Sequence, residues 1–449
     1  MKLSKRTMSA FGSRMLHAQR KKDKVVIIGS GWGGYTLLKN IDRKKYDVAV
    51  ISPSNHFLFT PLLPSTTVGT LEFRCIQEPI RTVPNLKEYF QGKVSKIDFE
   101  KKIVTSDNIF KKEKSNDIPY DHLVIACGTK TNTFNTPGIA DREGIEVHFL
   151  KHLFHARRIR NRILECFERA AMEQPGSKER SYLLSFVVVG GGPTSVEFVG
   201  ELHDFLFTDI ATWYPDLTKE VKISIIEASD HILGSFDKSL SGYVRRVLES
   251  RKITVMTSIA VKAFDHNTHS VTLSDGSSYP AGTIVWSAGL QPVKLVSETL
   301  SHLEKGPGGR LVVDECLRIK GVSSVYALGD CAVSLTAPLP PIAQAAKQQG
   351  KHLAQCFNMN QTDVSIVVSP FQYVALGSMV TWGGFKGAVD MHNVGKNKKE
   401  IDLGVFSGVI AYFTWRSAYW GMQTSWTNKI LIPMHWFKSF VFGRDISRF

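Results

Sequence analysis

Six cysteines, Cys75, Cys127, Cys166, Cys316, Cys331 and Cys356, are spread along 449 residues with no CxxC or similarly tight pair. That spacing excludes a dithiol relay between sequence neighbours, and it suits a reducing compartment in which most of these thiols act as small buried hydrophobes. No group of residues has metal-ligand spacing, and there is no haem signature. Long apolar runs are missing too. The longest uncharged stretch near the C-terminus, Leu403 to Trp415, stops at 13 residues, short of the roughly 18 that a bilayer span needs. Acid is scarce at both ends. Residues 1–24 carry net +7, and from Gly404 onward five basic residues face only Asp445, so the termini hold 11 of the +15 charges. A nearly balanced body argues against a nucleic-acid partner, which calls for a basic stripe within the folded domain.

What the chain does have is a glycine-rich turn in two copies. Gly29-Ser30-Gly31-Trp32-Gly33-Gly34 follows the β-branched run Val25 to Ile28, and Gly190-Gly191-Gly192-Pro193-Thr194-Ser195 follows Phe186 to Val189. Each reads as a buried strand turning tightly into a helix whose first amides face a pyrophosphate. One such motif is weak evidence, whereas two, each followed by a further strand, indicate two dinucleotides. The residues closing the next strands assign them. Lys222 to Ile226 ends in Glu227, whose carboxylate suits two ribose hydroxyls and repels a 2′-phosphate, so this half is expected to take NADH. The other reading of Glu227 is a solvated acid at a strand end. Asp47 to Ile51 ends in Ser52, without a carboxylate, and the later strand end Leu328-Gly329-Asp330 offers a carboxylate for a ribityl chain, so the first half is expected to hold FAD. Ser195 replaces the small glycine or alanine expected for close helix packing. The strands ending at Gly128 and at Ser287-Ala288-Gly289 bring small residues to the same edge, where backbone can approach a cofactor.

The C-terminal segment concentrates aromatics, twelve in the 46 residues from Gly404, which marks it off from the body. Tyr412, Trp415, Tyr419, Met422 and Trp426 recur every three or four residues, the pattern of one helical face, and Pro433 suits the first turn of a second helix carrying Trp436, Phe437, Phe440 and Val441. This stripe is expected to lie on a membrane surface; the alternative is core or a dimer interface. The leader, Met1 to Lys22, has seven basic residues, no acid, and interspersed serines, the pattern of a mitochondrial presequence or of a basic arm.

Further stretches resemble the alternative, or type II, NADH:quinone oxidoreductases, most closely the mitochondrial enzymes of fungi and protists. They are Phe57-Leu58-Phe59-Thr60-Pro61-Leu62-Leu63-Pro64, Pro341-Ile342-Ala343-Gln344-Ala345-Ala346-Lys347-Gln348-Gln349-Gly350 and Phe442-Gly443-Arg444-Asp445. The resemblance runs from about Lys24 to the C-terminus. It implies non-covalent FAD, NADH oxidation, reduction of a ubiquinone-type quinone without proton pumping, and peripheral attachment as a homodimer, here on the mitochondrial inner membrane with the matrix side favoured. It also places Glu197 near nicotinamide and flavin, and sets Gln344 and Gln348, one turn apart on a helix, to orient a quinone carbonyl. Thr60, Pro61 and Ala343 would border the flavin.

The expected fold class is α/β, with two Rossmann-like dinucleotide-binding domains, the second inserted in the first, plus a C-terminal amphipathic helical membrane-anchoring module. The expected boundaries are 1–23 for the leader, 24–151 and 290–369 for the FAD domain, 152–289 for the NADH domain, and 370–449 for the membrane and dimer module. FAD is expected to be held by Gly29, Gly31, Gly34, Ser52, Thr60, Pro61, Gly128, Asp330 and Ala343. NADH would use Gly190, Gly192, Pro193, Glu197, Glu227, Ala288 and Gly289. The rival readings are an enzyme like the sulfide:quinone oxidoreductases, which needs working cysteines, and a non-enzymatic flavoprotein that senses NADH.

Overall fold

The computed structural model describes residues 22–448 apart from 112, 360–367, 393, 397–398 and 402–403, so almost all of the expected leader lies outside the described residues. Strand β1 (Lys24–Ile28) is nearly wholly buried, as β-branched residues on a strand covered on both faces should be. Helix α1 (Trp32–Asn40) leads to β2 (Asp47–Ser52), and β3 (Glu88–Asp98), β4 (Ile103–Asn108) and β5 (Ser115–Pro119) form a meander before β6 (His122–Ile125) returns beside β1. β1 pairs in parallel with both β2 and β6.

A second sheet follows. It contains β7 (Val147–Phe149), β8 (Ser185–Val189), β9 (Lys222–Ile226), β10 (Ile253–Met256) and β11 (Thr283–Trp286) in the order β7-β11-β8-β9-β10, all parallel. Helix α2 (Leu153–Met172) enters this sheet with Ala156, Ile159, Ile163, Phe167 and Ala170 buried on one face, and α3 (Pro193–Asp204) follows the second glycine turn. Because β7 pairs with β11, the second unit begins several residues before the expected division at 152. Short apolar runs such as Val147–Phe149 carry no mark of the sheet they join.

The two sheets are stitched by an antiparallel pair, Thr129–Thr131 against Leu290–Pro292. The chain then re-enters the first sheet with β12 (Val325–Ala327), next to β6, and packs α4 (Ala343–Met359) across α1. That crossing depends on bare glycine. A Cβ on Gly350 would lie 2.3 Å from the carbonyl oxygen of Gly33, and one on Gly33 would lie 2.1 Å from Leu328 Cδ1.

The C-terminal part is an antiparallel sheet of β13 (Ser378–Thr381), β14 (Gly387–Asp390) and β15 (Val405–Gly408), followed by α5 (Val409–Gly421) and α6 (Trp426–Phe442). Two expectations are corrected here. Tyr412, Trp415 and Tyr419 share a face, but it is the inner one: Tyr412 and Trp415 are buried, and Tyr419 packs edge-on against Phe59 and Trp415. Met422 lies just beyond α5, and Trp426 starts the next helix with 78% of its surface exposed. Periodicity finds a face without saying what it meets. The outer apolar surface is made instead by Ile410, Phe413 and Trp420 of α5 with Ile430, Met434, Phe437, Phe440 and Phe442 of α6, while Trp436, expected among them, is buried.

Pro433 is the second correction, since it stands inside α6 and not in its first turn. An interior proline leaves the carbonyl four residues back without its helical donor. Here that carbonyl, of Lys429, accepts a bond of 2.7 Å from the Trp420 indole N–H, so a side chain of α5 replaces the missing amide. Among the described residues no helix is long and apolar enough to cross a membrane.

Replacing Gly350 by alanine is expected to lower stability by about 1–3 kcal/mol, the usual cost of overpacking. Thermal unfolding of the purified chain reads this directly, and an unchanged midpoint would show that α1 and α4 can separate freely.

Candidate active site

Both glycine turns have the same build. Gly29 (φ 107°) and Gly190 (φ 108°) adopt left-handed backbone, and a Cβ on Gly29 would stand 2.2 Å from the Ala126 carbonyl oxygen. A Cβ on Gly34 would meet Gly29 O at 2.1 Å, which seats α1 on the turn. Gly31 and Gly192 differ. They are the N-caps of α1 and α3, neither has a capping side chain, and nothing lies within 4 Å of where a Cβ would be. The first amides of each helix therefore face open space without a side-chain acceptor, which fits a pyrophosphate. Pro193 at the start of α3 gives up no bonded donor.

The next strand ends differ as their sequences do. At the end of β2 the Ser52 hydroxyl is bonded to that of Ser30 at 2.8 Å. At the end of β9 the Glu227 carboxylate accepts from the Gly191 N–H, inside the glycine turn, and from the Ser229 N–H at 2.7 Å. The long connection from Gly190 to Glu227 thus still delivers the acid to the turn. Ser195 is buried and bonded at 2.5 Å to Ser287, in the small-residue strand end that leads to Ala288 and Gly289 (φ 71°).

Gly128 (φ 64°) leaves β6 beside Asp330, whose carboxylate accepts a 3.4 Å bond from Thr129. Burial pushes the Asp330 carboxyl above its ordinary range, with Lys151 opposing the shift. Lys151 itself bonds Thr129 Oγ1 at 3.0 Å. Next to Asp330 the structure brings together two cysteines 204 positions apart in sequence numbering, Cys127 and Cys331. The contact between the two thiols pushes that of Cys127 well up, with burial adding to the shift, and holds that of Cys331 down against the opposing effect of burial.

Glu197 is a strongly perturbed acid. It lies in the first turns of α3, only 7% exposed, and accepts a 3.0 Å bond from the Trp415 indole N–H of α5. Burial raises its carboxyl from the ordinary value near 4.5 to about 8, against the bonds from Trp415 and the Thr381 backbone. At neutral pH it is a protonated acid. Tyr419 faces the same carboxyl and continues to Phe59, which touches Trp32; the Trp32 indole donates to Thr60 Oγ1 at 3.0 Å, beside Pro61. A ladder of aromatic rings therefore links α5 to the first glycine turn.

Gln344 and Gln348 share a face of α4 just after Ala343, as their spacing implies, but their amides are engaged. Gln348 donates to Val374 O at 2.8 Å and accepts from Val374 N–H at 2.9 Å, in the manner of a strand neighbour. Gln344 donates to Gly377 O at 2.9 Å and accepts from the Tyr373 hydroxyl at 3.1 Å. Sequence reasoning gave Trp415 and Tyr419 to the membrane stripe and assigned no site role to Lys151, Cys331 and Gln349, the last of which takes the Gly329 N–H at 2.8 Å. Apart from the repeated Gln in 348–349, nothing local distinguishes them from packing residues.

Two Rossmann-type units, each with an open glycine cradle and joined by paired linkers, define the class of pyridine-nucleotide oxidoreductases that accommodate two dinucleotides. Residues 23–350 match the pyridine nucleotide-disulphide oxidoreductase family, and residues 385–445 match the NDH2 C-terminal domain. The chain is 40% identical to a "Probable NADH dehydrogenase" of Dictyostelium discoideum, over 99% of this chain and 96% of that one. It is 38% identical to the mitochondrial "Internal alternative NAD(P)H-ubiquinone oxidoreductase A1" of Arabidopsis thaliana, over 95% and 86% of the two chains. The solved NDH2 of Plasmodium falciparum in complex with NADH superposes with a TM-score of 0.84 at 27% identity, covering 95% of this chain and all of that one. The chain belongs to the alternative NADH-ubiquinone oxidoreductase family.

The Glu197 shift has a stability consequence. Its folded pKa is raised, so between pH 4.5 and about 8 the folded chain holds this proton more firmly than the unfolded chain does. Stability from this group is complete below that window and falls as pH rises through it, by on the order of a few kcal/mol. Glu197→Gln keeps an acceptor for Trp415 without titrating. Urea unfolding at a series of pH values is expected to show the variant losing less stability than the native chain from pH 5 to pH 8, and parallel curves would mean that Glu197 is solvated.

Proposed function

We propose that this chain is a flavin-dependent, non-proton-pumping NADH dehydrogenase that passes two electrons to a ubiquinone-type quinone at a membrane surface. The observation that carries the reading is the Glu197–Trp415 bond. One compact region thereby joins the helix of the second glycine turn, the aromatic ladder to the first, and the helices with the outer apolar face.

In this reading FAD lies along Gly29, Gly31, Gly34, Ser52, Thr60, Pro61, Gly128, Asp330 and Ala343, and NADH along Gly190, Gly192, Pro193, Glu197, Glu227, Ala288 and Gly289. Bound there, the flavin would supply the electron-transfer chemistry between nicotinamide and quinone. The chain's own residues position the partners and exclude water. Glu227 holds the adenosine ribose of NADH. Glu197, neutral at pH 7, presents a proton donor to the region where nicotinamide and quinone meet. Gln344 and Gln348 act by clamping the Tyr373–Gly377 segment to α4, which forms one wall of the quinone route. Ile410, Phe413, Phe437 and Phe440 rest on lipid, so that a quinone reaches the site without crossing water. The mitochondrial inner membrane, on its matrix face, is the proposed place, and a homodimer the proposed assembly. The relatives' mitochondrial names and the basic leader support the first, and the family resemblance supports the second.

The test is anaerobic. NADH, but not NADPH, should bleach the flavin absorbance of the purified protein, and a short-chain quinone should restore it; bleaching without recovery would point to a sensor. Glu227→Ala should raise the KM for NADH about tenfold, the weight of one charge-assisted ribose contact, and an unchanged KM would remove Glu227 from the nucleotide site.

The approach of Cys127 to Cys331 favours a specific rival, a thiol relay like that of the sulfide-oxidising relatives of this fold. Steady-state turnover of Cys127→Ser should match the native chain. Its loss, with flavin still bound, would establish the relay.

A further inference from the structure

The outer surface of the C-terminal helices is not uniformly apolar. Between α5, α6 and the loop at Phe385 lies a groove of about 520 Å3 walled by Phe413, Trp420, Phe437 and Phe440, with Arg416 on its floor. The Arg416 guanidinium lies over the rings of Tyr412 at 4.6 Å and Trp436 at 4.4 Å. Its Nε is buried with no hydrogen-bond partner, and among the described residues no carboxylate lies within ion-pair distance of the group. Its polar company is the Tyr412 phenol, which burial pushes up to about 12 and so keeps neutral, while the Glu201 carboxylate, which attracts Arg416 through space, is already paired with Arg444.

A cation stacked between two rings gains only part of what it loses on leaving water, and its planar fork of donors needs an acceptor. Arg444, the nearby arginine, shows the contrast. It is matched by Asp209 at 2.8 Å and by Glu201 at 3.4 Å. The groove around Arg416 offers phenylalanine and tryptophan instead, and these walls are exposed: Phe413 by 56%, Phe437 by 66% and Phe440 by 71%. The complementary occupant has an anionic head with several acceptor oxygens and a long apolar body. Both properties belong to a phospholipid.

We propose that the α5–α6 groove is a binding site for one anionic phospholipid, its phosphate oxygens on Arg416 and its acyl chains along Phe413, Phe437 and Phe440. The site rests on the reading that these helices lie on a membrane, and it adds a preference that a merely greasy surface would not have. Phosphate geometry suits the guanidinium fork, which can donate two parallel bonds.

The experiment uses the full-length, flavin-loaded chain and flotation with vesicles of phosphatidylcholine, with or without phosphatidylglycerol. The native chain should bind the neutral vesicles and bind those with phosphatidylglycerol more tightly. Arg416→Gln should lose about tenfold of that anionic gain, the weight of a charge-assisted contact, while keeping its affinity for neutral vesicles. Lys438→Gln, which removes an exposed cation of α6, should lose little. Arg416→Met, apolar enough to suit the aromatic cage, supplies the same comparison if the glutamine variant folds poorly. Equal losses in the Arg416 and Lys438 variants would overturn the site in favour of diffuse charge attraction. A raised KM for short-chain quinone in lipid-free detergent, confined to the Arg416 variants, would overturn it in favour of quinone. Failure of the native chain to bind any vesicle would instead remove the membrane reading on which the site depends.

Discussion

A single carboxyl held out of water organises the middle of this molecule. Glu197 enters on α3, is capped by an indole from α5, and lies beneath a backbone amide of β13. Left ionised in such a place it would cost several kcal/mol, so the carboxyl keeps its proton, and the surrounding groups are those that tolerate a neutral acid. Only with the C-terminal module seated can Glu197 be dry. The module is held in turn by ion pairs at the end of the chain, where Arg444 reaches Asp209 and Glu201, and Arg160 reaches Asp445. Ser65 and Thr70 complete this knot by donating to Glu201 at 2.8 and 2.6 Å. The Phe-Gly-Arg-Asp ending thus ties the C-terminal module to the body of the chain.

Around that centre the same architecture is used twice. In each sheet the glycine-turn strand stands between a later strand ending in a small-residue turn and the next strand, whose end borders the cradle: β6-β1-β2 in one, β11-β8-β9 in the other. The differences lie at one position of the plan. Ser52 and Ser30 satisfy each other, whereas Glu227 reaches back to the Gly191 amide. In the proposed function, the pair of hydroxyls borders a nucleotide held along its length, while the carboxylate grips a ribose that must come and go. Extended enclosure at the first cradle and strong local selection at the second are, on that reading, what a resident cofactor and an exchanging one respectively require.

The parts of this arrangement legible in the sequence are those set by short-range rules. Glycines with positive φ, strands of unbroken β-branched residues, the terminal residue of the following strand, and the apolar face of α2 all announce themselves within a few positions. Gln344 and Gln348 show the limit. Their shared face follows from helix geometry, but the amide of Gln344 is bound to Gly377, 33 residues away, and that of Gln348 to Val374, 26 away, and no spacing rule anticipates that. Cys127 with Cys331, and Trp415 with Glu197, are likewise products of topology. The family resemblance indicated Glu197, because motifs carry positions; it did not indicate the indole that faces it.

The aromatic tail shows why a correct periodicity led to the wrong face. A stripe of Tyr and Trp is amphipathic in itself, with a polar atom at the tip of each ring, and it suits either a membrane interface or a wall lining polar groups. Trp415 bonds a carboxyl and Tyr419 packs edge-on against Phe59, so this stripe turned inward, where the Trp415 indole has a partner. The plainer residues, Ile410, Phe413, Ile430, Phe437 and Phe440, have no polar tip to satisfy and remain outside. The outer indole of Trp420 supplies the donor that Pro433 withholds from Lys429. An interior proline that would otherwise break α6 in an apolar setting is therefore tolerated because the neighbouring helix repairs it, and the two helices are bound into one surface by the same bond.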